Sequence, residues 1–206
     1  MIESDLEARI KLLEDEIRYL KDIEEIKKLQ RIYGYYLEHW QWRDVIGLFS
    51  DEPDASVEIG DLGVYLGKEG IERFFYREKV SPTYLHVLMQ VSGVVDVDSD
   101  SKTAKGRWYG FGCFAFDTDD GVKPVWGSGV YENDYTKENG KWKIKKLHYN
   151  RIFMSPYEDG WVKTPVIKLD RSAMSQNKPD RPSTVCKSYP SGYVFPYHYK
   201  HPITEE

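Results

Sequence analysis

Proton transfer near neutral pH needs an imidazole or a tuned carboxylate, and this chain carries five imidazoles: His39, His86, His148, His198 and His201. None stands in an HxH or HExxH spacing. Cys113 and Cys186 lie far apart with no CxxC around them, so a metal site is not expected. A Gly-x-Ser-x-Gly elbow and a dinucleotide fingerprint are both missing, and the glycine run 106–112 sits in a strand pattern rather than before a helix. No cofactor is expected. What remains is acid/base chemistry by a single imidazole helped by a carboxylate. His86 shares one face of a strand pattern with Leu88 and Gln90, and His148 lies on the last strand pattern with Asn150 two residues on. For each, the plainer reading is a half-buried imidazole with a structural partner.

The second chemical signal is aromatic. Tyr, Trp and Phe number 16, 6 and 8, so rings with a hydrogen-bonding tip outnumber plain ones. Such rings suit a pocket for a flat, hydroxylated ligand, and they equally suit an aromatic core with an interface. Tyr36 and Trp40 crowd the end of a helix pattern. In 106–112 small and large residues alternate, so glycines on one face leave volume beside Trp108; a bulge would instead turn Arg107 and Tyr109 inward. Trp126 and Tyr131 on the next strand complete the expected substrate-binding set.

Elements that would position these groups follow from periodicity. Leu6, Ile10, Leu13, Ile17 and Leu20 recur at 4-3-4-3, the seam of a coiled coil or docked helix. Ile23, Ile26, Leu29 and Ile32 then recur at threes, which predicts a break near Lys21-Asp22 and a second helix to about Phe49. A short strand over 55–59, an irregular turn over 60–67 and a helix over 68–75 come next. Strands are predicted at 84–98, 103–116, 125–135 and 141–153, separated by turn residues such as Asp119-Asp120-Gly121 and Asn139-Gly140. Helices followed by hairpins mean an α+β class with a curved antiparallel sheet. Pairing across Asn139-Gly140 in either simple register sets Tyr131, Asn133 and Tyr135 on one face with Trp142, Ile144, His148 and Asn150, which would point His148 and Asn150 inward. Beyond Gly160 the chain has no period, yet its tyrosines predict an arm ordered by wrapping. The organisation expected is a helix over 1–22, a domain over 23–155 and a C-terminal arm over 156–206.

Charge and hydropathy narrow the partners. Lys and Arg total 29 against 34 Asp and Glu, a formal charge of -5, so nucleic acid and anionic membrane are poor partners. No apolar run approaches the length of a membrane span, and the opening residues do not form a signal peptide. A cytoplasmic protein is expected.

Three stretches carry a family resemblance. Tyr33-Gly34-Tyr35-Tyr36-Leu37-Glu38 with Leu48-Phe49, Val57-Glu58-Ile59-Gly60 and Gly63-Val64-Tyr65 resembles the opening of SnoaL-like domains, of the nuclear-transport-factor-two-like kind. His86, 94–98 and Thr103-Ala104 resemble the family's His strand and hairpin, and Gly129-Val130-Tyr131-Glu132-Asn133 with Gly140-Lys141-Trp142 and Leu147-His148 resembles its final hairpin. The resemblance implies a cone-shaped α+β barrel, a sheet wrapped around helices. The tail, with Gly160-Trp161, Pro179-Asp180-Arg181-Pro182 and Pro196-Tyr197-His198-Tyr199, is similar to a subgroup that includes bacterial diarylpropane γ-formaldehyde lyases. By the same resemblance His86 and His148 are catalytic, and Glu38 falls where the family has an acid on the first helix, with Glu in place of the common Asp. Glu58 and Asp61 are second-choice carboxylates. The implied activity is a cofactor-independent lyase on a hydroxylated aromatic small molecule, by C–C cleavage releasing a small aldehyde or by dehydration. An isomerase or cyclase of this fold, and a non-catalytic aromatic-binding module, stay open. A homo-oligomer is implied, trimer ahead of dimer.

Overall fold

The structure is a computed structural model that describes residues 2–76, 81–118, 120–167 and 177–205. Asp119, in one predicted turn, lies outside the described residues. Helix α1, Ile2–Glu38, runs unbroken where a break near Lys21-Asp22 is predicted. The change in spacing marks instead the point where an exposed rod becomes a docked helix: Leu20 is exposed, whereas Ile26, Leu29, Tyr33 and Leu37 are buried. Asp22 fixes that point, because its buried carboxylate accepts from Trp142 Nε1 at 2.9 Å and from Lys137 Nζ.

The helix stops earlier than the predicted Phe49. Trp40 adopts φ 49°, its N–H bonds to Leu37 O at 3.2 Å, and the N–H of Gln41 reaches Tyr36 O at 3.0 Å, the bond pair of a Schellman terminus. Glycine is the usual occupant of that left-handed position, so a tryptophan there costs on the order of 1 kcal/mol. A short helix α2, Trp42–Gly47, follows, then β1, Ser56–Ile59. The turn predicted over 60–67 contains a further strand, β2, Val64–Leu66, before α3, Gly67–Phe75.

Four long strands come next: β3, Leu85–Val97; β4, Thr103–Thr118; β5, Gly121–Glu138; and β6, Lys141–Pro156. They form one sheet in the order β2-β1-β6-β5-β4-β3, with β1 parallel to β6 and the other pairs antiparallel. Register shifts between Val91 and Val94, Ser128 and Gly129, and Asp134 and Tyr135 bend the sheet. Its concave face closes on α1, α2 and α3 around Ile26, Tyr33, Val57, Phe75, Trp108, Tyr135, Ile144 and Leu147. This is the cone-shaped α+β arrangement. A short helix α4, Gly160–Lys163, and an irregular segment over 177–205 follow; the latter runs first along β2 and α3 and then, from Thr184, against the outer face of the sheet. Among the described residues no helix is long and apolar enough to cross a membrane.

Candidate active site

The concave face is assigned by register. Trp108 pairs with Tyr131, Gly110 with Gly129, and on the other side His86 with Phe114, Leu88 with Gly112 and Gln90 with Gly110. All of these face α1, because Gly34 lies against Leu88 and Gln90, and Gln30 Nε2 donates to Gln90 Oε1 at 2.9 Å. Arg107 and Tyr109 therefore face outward. The bulge that would have turned them in lies on β3, at Ser92-Gly93, so β4 keeps its alternation.

The glycines do not leave an empty slot beside Trp108. A Cβ on Gly93 would meet the Trp108 ring at 2.0 Å, one on Gly129 the Tyr149 ring at 2.3 Å, and one on Gly127 the Phe114 ring at 2.7 Å. The protein's own rings lie flat on the glycines. Beneath them runs a polar seam: Gln30 Oε1 accepts from Tyr135 Oη at 2.8 Å and Asn133 Nδ2 at 3.0 Å, and Trp108 Nε1 donates to Tyr135 Oη at 2.9 Å. Tyr131 meets Gln90 and Tyr33, and burial raises the pKa of Tyr33, Tyr131 and Tyr149 above the ordinary phenol value. The Tyr33 hydroxyl lies beside Tyr131 yet closes no well-formed hydrogen bond.

The last hairpin corrects the simple register. Tyr135 pairs with Ile144 but Asp134 pairs with Lys146, which leaves Lys145 as an extra residue. From Lys146 to Arg151, where a second shift follows, every side chain changes face. Leu147 and Tyr149 take the inward positions, and His148 and Asn150 turn outward. The Asn133 side chain fills the gap in the ladder by accepting the His148 backbone N–H at 3.1 Å. Outside, the His148 ring meets Phe195 at 4.6 Å, and its Nε2 stands 3.4 Å from Glu58 Oε1. Burial lowers its pKa against the pull of Glu58, Asp134 and Glu132. Glu58 also accepts from Thr184 N at 2.6 Å and Oγ1 at 2.8 Å, and both residues line an outer cleft of about 500 Å³. Asn150 Oδ1 accepts from Lys187 N at 3.3 Å.

Other predicted binding residues also serve the arm. Arg107 pairs with Glu132, donates to Phe195 O and Pro196 O at 3.1 Å, and stacks 4.4 Å from the Tyr197 ring centre. Glu132 holds His198 Nδ1 at 2.8 Å. Trp126 lies on the outer face between Phe111 and Tyr157, and Tyr109 is exposed there. Trp108 and Tyr131 are inward and buried, and Tyr36 packs against the core.

His86 is the imidazole that faces inward, and rings surround it. Phe114 meets it edge-on at 4.9 Å, Trp40 at 5.8 Å, and Tyr84 stacks at 6.1 Å with an interplanar angle of 10°. Burial in this cage lowers its pKa to about 4, opposed only by its own main chain, so the ring is neutral at pH 7. Among the described residues its buried Nδ1 has no hydrogen-bond partner. Glu38, the last residue of α1, is half-buried. Gln30 lies against Gln90 and Gly34 against Leu88, so α1 runs antiparallel to β3 along this face. Tyr84, Phe114, Gln90 and Tyr33 are the inward neighbours that sequence reasoning left out of the site. Phe114 was legible from the alternation it shares with Trp108; Gln90 from the face it shares with His86. Among the described residues no three His, Cys, Asp or Glu side chains gather to hold a metal ion.

Residues 18–148 match the SnoaL-like domain family. Similar solved structures include a scytalone dehydratase-like protein from Novosphingobium aromaticivorans DSM 12444, 16% identical, covering 68% of this chain and 90% of that one with a TM-score of 0.57. LinA is 16% identical, with 69% of this chain and 93% of that one covered and a TM-score of 0.56. A hexachlorocyclohexane dehydrochlorinase, LinA-type3 from Novosphingobium barchaimii LL02, is 19% identical, with coverages of 69% and 92% and a TM-score of 0.51. At these identities the likeness is one of fold.

Proposed function

Because the chain belongs to the SnoaL-like family, whose cone encloses its inward imidazole, we propose that it is a cofactor-independent lyase acting on a hydroxylated aromatic small molecule. The observation that carries the proposal is His86, neutral and caged by Trp40, Tyr84 and Phe114, with a buried Nδ1 that lacks a partner among the described residues. Leaving such an atom unsatisfied costs about 1–3 kcal/mol, which a substrate hydroxyl or acidic C–H placed there would recover. His86 is the base that takes the proton. Glu38, at the end of α1, is the acid that protonates the leaving hydroxyl in elimination, or the carbon left behind by the departing aldehyde in C–C cleavage, and the substrate ring packs among the caging aromatics. Electrons released at the deprotonated atom move into the substrate's conjugated system, so elimination of water, or C–C cleavage with release of a small aldehyde, needs no added electron sink. The fold relatives, described as a scytalone dehydratase-like protein and a dehydrochlorinase, support elimination as the reaction type.

One observation favours a second reading, a binding module without catalysis: His148 faces out of the cone, so the concave face holds His86 without a second imidazole. Incubation with lignin-derived dimers, polyphenols and hydroxysteroids, followed by absorbance for a new conjugated product and an assay for released aldehyde, separates the two. Turnover that falls about 10²–10⁴-fold in His86→Ala and is unchanged in His148→Ala is expected for the lyase. Tight binding without product across the panel supports the module, and turnover indifferent to His86→Ala removes His86 from the mechanism.

A further inference from the structure

The first half of α1 leaves the body of the protein with its apolar side chains bare. Leu6, Ile10, Leu13, Ile17 and Leu20 are exposed, Ile17 by 65% and Leu20 by 61%, while Ile26 and Tyr33 on the same helix have no exposure. The segment is thus not folded back on its own cone. Its 4-3-4-3 spacing puts Ile10 and Ile17 at position a of a heptad and Leu6, Leu13 and Leu20 at d. Isoleucine at a with leucine at d favours two parallel strands. Leu12 and Tyr19 fall at c, on the outer side of the helix away from the seam.

The charges beside the seam fit the same arrangement. Arg9 and Glu16 occupy g, and Glu14 and Lys21 occupy e. In a parallel pair each g residue faces the e residue of the following heptad on the other helix. Arg9 then meets Glu14 of a second copy and Glu16 meets Lys21 of that copy, both attractive and both repeated by symmetry. An antiparallel pair that packs Leu13 against Ile17 would instead set Glu14 against Glu14. The helix needs no separate nucleation, since it continues into the docked half, and buried Asp22 anchors it where the seam ends.

We propose that residues 5–21 form a parallel two-stranded coiled coil with the same segment of a second copy, which makes the protein a homodimer. The family resemblance puts a trimer first; the seam's own residues put two strands first.

Light scattering on the full chain at tens of micromolar is expected to give twice the chain mass of 24.2 kDa. Ile10→Asp with Ile17→Asp should give the single-chain mass, with the fold retained because both positions are exposed. Arg9→Glu alone should weaken the dimer roughly tenfold at low salt, and adding Glu14→Arg should restore it, because that exchange recreates the pair only in the parallel register. A monomeric or trimeric wild-type chain overturns the proposal. So does a dimer unmoved by the aspartates or by Arg9→Glu, or a defect that Glu14→Arg deepens.

Discussion

His86 on β3 and His148 on β6 are the same residue type on strands separated by β4 and β5, and what distinguishes them chemically is what each touches. His148 has Glu58 at 3.4 Å and a phenylalanine from the arm, while His86 has rings on three sides and a buried nitrogen without a partner among the described residues. The cage has a consequence for stability. In the unfolded chain the imidazole takes its proton near 6.5, but folded His86 is held to about 4. Between those values the unfolded state binds the extra proton, so stability falls as pH drops from about 6.5 to about 4 and this contribution is level on either side. His86→Phe is expected to flatten that part of the curve, measured by urea denaturation at a series of pH values. Trp40 holds one wall of the cage from a left-handed backbone position. Trp40→Ala admits water to the imidazole, and an NMR titration should show the His86 pKa moving up toward 6.5; no movement would mean that Tyr84 and Phe114 desolvate it unaided.

At the scale of the element, the sheet is built from rings laid on glycines. Gly129→Ala would place a Cβ 2.3 Å from the Tyr149 ring, and with backbone of Asn150 at 2.5 Å neither neighbour can yield cheaply. A loss of about 1–3 kcal/mol in folding free energy is expected, read by thermal or chemical melts. Gly121→Ala, at the hairpin tip with no atom within 4 Å of its Cβ but φ 105°, isolates the backbone cost alone. The arm is held differently, through the largely buried Arg107–Glu132 pair, the carbonyls of Phe195 and Pro196, and His198. Arg107→Ala leaves Glu132 without its strongest cation and should cost on the order of 2 kcal/mol, felt mainly by the arm. Hydrogen exchange is expected to speed up over 183–199 and stay slow in β3, β4 and β5; uniform acceleration would mean that the arm and sheet unfold as one unit.

For the whole molecule, the exposed seam of α1 links stability to concentration. A dimer through that seam binds the native state and not the unfolded one, so Tm should rise as protein concentration rises, and the rise should vanish in the Ile10→Asp, Ile17→Asp variant. Much of the architecture is legible along the chain because it rests on local rules. The 3.6- and 2-residue periods, the Asn139-Gly140 turn and the run of glycines in 106–112 depend on near neighbours, and they place α3 and the four long strands to within a few residues. The same alternation sets His86 on one face with Leu88 and Gln90, but that this face is the inward one was decided by α1 packing on it, since the opposite face, with Leu85, Val87, Met89 and Val91, is the more apolar. Three further things were decided only when distant segments met. The helix passes through Lys21-Asp22 where Trp142 and Lys137, more than a hundred residues on, hold Oδ1 of the buried Asp22 carboxylate. The extra residue at Lys145 is tolerated because Asn133 on the opposite strand takes the orphaned His148 N–H, and that one insertion reverses the face of His148 and Asn150. Arg107 and Asn150 became ties for the arm because residues from the far end of the chain cover the outer face of the sheet. Strand alternation counts residues and has no information about a bulge, whose cost is set by a partner across the sheet; that is why the outward turn of His148 could not be read from the sequence.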